Sequence, residues 1–118
     1  MSKNKNIQHL REDYRNGTLL EKDVAKNPFQ QFERWFDAAL ESEILEPNAM
    51  TVATCNAAGR PAARIVLLKG FDKDGFVFYT NYNSQKGREL TGTPFAALVF
   101  NWLDLQRQVR IEIGRAHV

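Results

Sequence analysis

Two cations bracket one apolar run in this chain: Arg64 and Lys69 flank Ile65-Val66-Leu67-Leu68. Strands favour β-branched and aromatic residues, so a charge at each end of such a run calls for a partner, and an anion is the first candidate. Five residues of extended chain span roughly 16 Å, too far for one phosphate to meet both cations without a bend. Two anionic groups fit better. The odd spacing also sets the two side chains on opposite faces of a regular strand, so Lys69, beside Gly70, has to turn inward at the strand's end. Tyr79-Thr80 ends the next strand, and Ser84-Gln85-Lys86 opens a short helix whose free N–H groups and ammonium favour an anion. Paired across the hairpin, these groups would meet Arg64 around one phosphate. Each has a plainer reading as a solvated strand-end charge, an ordinary cap or a surface lysine. Gln106, Arg107 and Gln108 alternate at a strand start and, taken alone, read as solvent-facing.

Other chemistry is sparse. The chain has no Gly-rich dinucleotide fingerprint, no GxxxxGK[ST], no HExxH and only two histidines, His9 and His117. The single cysteine, Cys55, excludes an internal disulfide and a thiolate metal cage, and fits a reducing cytoplasm. At the end of an apolar strand it reads as a small buried hydrophobe. No catalytic side chain and no metal site are nominated. An enzyme built this way takes its chemistry from a cofactor.

The elements that position these groups follow from the change of hydrophobic period. Residues 1–26 are polar, with Ile7, Leu10 and Tyr14 at helical spacing, and read as a short amphipathic helix followed by a loose arm. Asn27 as N-cap, Pro28 at the first helical position and Gln30 as its capping partner predict a helix to about Glu43, ended by Glu46-Pro47. Its stripe of Phe29, Phe32, Trp35, Phe36, Ala39 and Leu40 is a core face. From Met50 the pattern predicts antiparallel strands near 50–55, 62–69, 76–82, 95–102 and 106–112. Asn56–Gly59 and Asp72–Gly75 are Gly-closed hairpin loops, and a helix from Gln85 to Leu90 is broken by Gly92-Thr93-Pro94. Five short strands and one inserted helix suggest a small antiparallel barrel: mainly β with N-terminal helices, an α+β chain.

Composition is that of one globular domain: 118 residues, 43% hydrophobic and 25% charged. A net charge of +2 lacks the clustered excess of a nucleic-acid binder. No apolar run is long enough for a signal peptide core or a membrane span. After Glu112 the chain breaks pattern. The peptide EIGRAHV is what GAG ATC GGA AGA GCA CAC GTC encodes, a string similar to a common sequencing-library adapter. Native sequence is therefore expected to end near Glu112, with 113–118 a non-native tail, and the nucleotide record tests this.

The run RIVLLKGFDKDGFVFYTNYNSQKGREL, preceded by FERWFDAAL and followed by FAALVFNWLDLQRQVRIE, resembles the pyridoxamine 5′-phosphate oxidase family from Leu10 to Glu112. The resemblance implies an FMN-binding split β-barrel, here C-terminally truncated, working as a homodimer with sites at the subunit interface. It implies a mobile N-terminal segment over 1–26 and an incomplete FMN-binding domain over 27–112. The implied reaction oxidises pyridoxamine or pyridoxine 5′-phosphate to pyridoxal 5′-phosphate, with O2 as acceptor and hydrogen peroxide released. Arg64, Ile65, Val66, Leu67, Leu68 and Lys69 would line the FMN, with Arg64 at its phosphate and Lys69 also reaching the substrate phosphate. Tyr79 and Thr80 would touch the flavin, Lys86 would assist at its phosphate, and Gln108 would arrive from the partner subunit. Arg11, Glu12, Asp13 and Tyr14 match the segment that closes over substrate. Gln85 stands where an arginine often precedes Lys86, which removes one cation. The family's later HSRP segment, its SQ contacts and its C-terminal tryptophan, arginine and histidine have no counterpart here, so the chain alone is expected to be inactive and its strand edges unpaired. A non-catalytic flavin- or phosphate-binding barrel is the alternative.

Overall fold

The structure, a computed structural model, describes residues 19–79 and 85–114. The N-terminal amphipathic stretch, the Ser84 cap and both histidines lie outside the described residues. After a 3-10 turn at Glu21–Asp23, helix α1 spans Pro28–Glu41. Its start is the predicted one: the Asn27 side chain accepts from the Gln30 N–H at 2.9 Å, with Pro28 at the first position. Its end comes two residues early. Ser42 folds back, its hydroxyl donating to the Ala39 carbonyl at 2.8 Å, and Glu43 takes φ 59°, which a helix does not accept.

Six strands follow: β1 (Ala49–Cys55), β2 (Pro61–Leu67), β3 (Gly70–Asp72), β4 (Gly75–Val77), β5 (Ala96–Trp102) and β6 (Arg107–Ile113). Helix α2 (Gln85–Gly92) lies between β4 and β5. Among the described residues the strands form an antiparallel four-stranded sheet, ordered β2-β1-β5-β6, and a separate β3-β4 hairpin. One of the six, β3, was not predicted. The 62–69 run leaves the sheet after Leu67, because Asn48 captures both backbone groups of Leu68: its carbonyl accepts the Leu68 N–H at 2.8 Å and its side-chain amide donates to the Leu68 carbonyl at 3.2 Å. Lys69 then donates its N–H to Val77 at 2.7 Å, joining the hairpin side instead. Of the next predicted strand, 76–82, the described part is regular only to Val77 and 80–82 lie outside the described residues, while Gln106 is a left-handed turn residue (φ 53°) rather than part of β6.

The core lies between α1 and the inner sheet face, where Met50, Val52, Leu98, Phe100 and Trp102 are buried. Phe32 is the central wedge. Its ring meets Phe71 at 4.9 Å and Phe76 at 5.2 Å, both edge-on, and lies 5.0 Å from Phe100 and 6.1 Å from Trp102. Edge-to-face geometry suits the aromatic quadrupole, so one side chain joins sheet and hairpin. Trp102 is core as well, its indole N–H satisfied by the Pro47 carbonyl at 2.9 Å. Both hairpin loops form as predicted. Asn56 Oδ1 accepts from Ala58 and Arg60 at 3.0 Å each, Gly59 supplies φ 83°, and Asp72 Oδ1 accepts from Asp74 at 2.8 Å.

Candidate functional site

Strand alternation decides which face Arg64 serves. It pairs with Val52 across β1–β2, on the side of the sheet that buries Val52 and Thr54, so its half-buried side chain runs over the inner face. There one Nη donates to Thr54 Oγ1 at 2.7 Å and to the Val52 carbonyl at 3.3 Å. The other Nη lies 3.7 Å from Glu89 Oε2. Glu89 projects from α2 and is 7% exposed. Its Oε2 accepts the Thr54 hydroxyl, and its Oε1 accepts the Gln85 side-chain amide at 2.9 Å. The hydrogen bonds from Thr54 and Gln85, helped by the Arg64 charge, hold the Glu89 carboxyl below its usual range although burial opposes this.

Lys86 belongs to the same electrostatic neighbourhood. Burial first, and then repulsion from Arg64, lowers its ammonium pKa from 10.5, and its Nζ sits 5.6 Å from the centroid of the Phe78 ring. The Lys86 ammonium thus feels the Arg64 charge, and Arg64 in turn faces the Glu89 carboxylate. A concavity of about 300 Å³ opens beside Glu89, between the β1–β2 loop and α2, lined by Asn56, Ala57, Gln85, Arg88, Glu89 and Thr93 among others.

The remaining predicted residues are spread more widely. Lys69 does not turn into the core. It is exposed, with its Nζ 5.8 Å from the centroid of the Tyr79 ring, itself 75% exposed. Val66 shares the Arg64 face, Ile65 (66% exposed) and Leu67 point the other way, and Leu68 is buried. Gln108 is exposed on the edge strand β6, three strand spacings or roughly 14 Å from β2, and does not join the Arg64 cluster within this chain. Thr80, Arg11, Glu12, Asp13 and Tyr14 lie outside the described residues.

Two further readings change. Arg107 is half-buried with its guanidinium 4.9 Å from the Trp35 ring centroid, so it is a stacking residue rather than a solvated one. Cys55 is half-buried, its thiol donating to the Asn56 carbonyl at 3.3 Å, and it lines an open cleft of about 640 Å³ with Thr54, Pro61 and Phe95. Glu89 and Thr54 were missed. The available signal was spacing: Glu89 lies four residues after Gln85 on a helix, so the two share a face, and Thr54 continues the Met50-Val52 alternation.

Among the described residues no cluster of side chains can hold a metal ion, and no helix is long and apolar enough to cross a membrane. A sequence profile of the family described as "Pyridoxamine 5'-phosphate oxidase" matches residues 36–118. A protein of Cyanothece sp. named pyridoxine/pyridoxamine 5′-phosphate oxidase is 61% identical over 106 residues, and one of Bordetella pertussis with the same name is 57% identical; each alignment covers 90% of this chain and 50% of the relative. The chain spans about half the length of these curated relatives. The crystal structure of PhzG from Burkholderia lata 383, in complex with tetrahydrophenazine-1-carboxylic acid, superposes with a TM-score of 0.77 at 31% identity, covering 83% of this chain and 49% of that one. A pyridoxamine 5′-phosphate oxidase-related, FMN-binding protein of Nostoc punctiforme shares the fold, with a TM-score of 0.63 at 22% identity over 75% of this chain and 46% of its own.

Proposed function

The chain belongs to the pyridoxamine 5′-phosphate oxidase family, and on that premise we propose that it binds FMN and serves the oxidation of pyridoxamine or pyridoxine 5′-phosphate to pyridoxal 5′-phosphate with O2. The observation that carries the reading is Arg64, held over the inner sheet face by Thr54 and Glu89, with the Lys86 ammonium near enough to feel its charge. Such a pair retains positive charge and suits a phosphate dianion. The donor set therefore fits a phosphorylated flavin.

In this reading Arg64 and Lys86 hold the flavin phosphate, and Gln85 acts through Glu89. Lys69 and Tyr79, beside one another at the surface, present a cation and an aromatic face to the meeting point of cofactor and substrate. Because Ile65, Val66, Leu67 and Leu68 point in different directions, this run lines the ligand chiefly through its backbone. Gln108, remote on β6, serves the site of a partner subunit, which makes the working unit a homodimer. Thr80 and the segment Arg11, Glu12, Asp13 and Tyr14 complete the flavin contact and the substrate cover. When bound, the flavin supplies hydride acceptance and reoxidation by O2, and the protein supplies orientation and charge. The reading takes the protein as cytoplasmic, which a single unpaired cysteine fits.

Protein expressed from its native reading frame is expected to carry a flavin absorbance band and to release peroxide with pyridoxine 5′-phosphate. Absence of both would defeat the reading, and bound FMN without turnover would favour a non-catalytic flavin-binding protein. FMN binding is also expected to weaken with rising pH. A bound phosphate favours protonated Lys86, so as pH rises through the lowered Lys86 pKa, below 10.5, binding must take up a proton. Lys86→Gln should flatten that slope in FMN titrations across alkaline pH; an unchanged slope would place the titrating group elsewhere.

A further inference from the structure

We propose that Glu89 is a positioning residue that holds the Arg64 guanidinium in place for phosphate through a directional relay across Thr54; this rests on the FMN reading above. A buried carboxylate requires partners, and every partner seen here leads towards the candidate anion site. The relay has one sense. Glu89 can only accept, so the Thr54 hydroxyl donates to it, and the Thr54 oxygen is left to accept from Arg64. Gln85 occupies the other carboxylate oxygen, which stops the group from rotating. Three elements, β1, β2 and α2, are tied at one point.

Glu89 is unsuited to touch the phosphate itself. It is negative and acceptor-only, so it acts through Arg64. Arginine on strand β2, at the edge of the four-stranded sheet, has many rotamers, and fixing one before the ligand arrives removes an ordering cost from binding. Arg64 keeps donor capacity beyond the Thr54 and Val52 contacts, since a guanidinium carries five N–H groups.

The test compares FMN with riboflavin, which differs by the phosphate alone, in fluorescence titrations of the native protein and its variants. Glu89→Leu and Thr54→Val are each expected to weaken FMN binding about tenfold, the lower range for a lost hydrogen bond to charge, with riboflavin affinity unchanged. Glu89→Gln should stay within about threefold of wild type, because its amide oxygen still accepts from Thr54 and the Gln85 amide can turn to match it. Thr54→Val preserves shape and carries the test where Glu89→Leu does not fold. Equal weakening of FMN and riboflavin would reduce Glu89 to a structural tie and overturn the role, as would unchanged FMN affinity in Glu89→Leu or Thr54→Val. A wild type that binds FMN no tighter than riboflavin would instead overturn the phosphate assignment, and the relay with it.

Discussion

Arg64→Ala is expected to lower FMN affinity by about 10- to 100-fold while leaving riboflavin affinity nearly unchanged, the range set by the roughly 1.5–3 kcal/mol of a hydrogen bond to a charged group. The effect is large because Arg64 is already oriented by Thr54 and the Val52 carbonyl, so the ligand meets a fixed donor rather than a mobile chain. Lysine should rescue little. A single ammonium cannot serve Thr54, the Val52 carbonyl and a phosphate together, as a planar guanidinium does. Isothermal titration with both ligands reads the result, and an alanine variant holding FMN within twofold of wild type would remove Arg64 from the phosphate site.

The largest expected loss of stability comes from Phe32→Ala, about 3–5 kcal/mol. Phe32 is 4% exposed and contacts rings on the sheet and on the β3-β4 hairpin, so truncation opens a cavity where three elements meet. That is a large share of the roughly 5–15 kcal/mol that holds a typical domain folded. Urea unfolding monitored by tryptophan fluorescence should show the shift, with Trp102 6.1 Å from Phe32 as a local reporter. A loss under about 1 kcal/mol would mean the neighbouring rings close the gap, contrary to the packing described.

Features written in adjacent residues were the ones legible in the sequence. Asn27-Pro28 with Gln30 is a local hydrogen-bond pattern, and the α1 stripe and the β1–β2 loop are local periodicities. What escaped depends on residues distant in the chain. The break at Leu68 is made by Asn48, twenty positions away, and Arg107 is drawn from solvent by Trp35 on another element. Glu89 escaped for a related reason: a glutamate on a short polar helix reads as solvated until the helix is docked against Thr54 and Arg64. Of the candidate site, Arg64, Gln85 and Lys86 were named from sequence, and the carboxylate tying the first two together was not.

The two Asn48 hydrogen bonds to Leu68 act as a gauge block for the whole run between the cations. They clamp the chain where it passes from one sheet to the other, so the offset between Arg64 on the sheet and Lys69 on the hairpin side is set by a residue that carries no charge. A slip at that clamp would leave both cations present but change the distance between them. On the proposed reading, the spacing between the cofactor and substrate phosphates is set at Asn48.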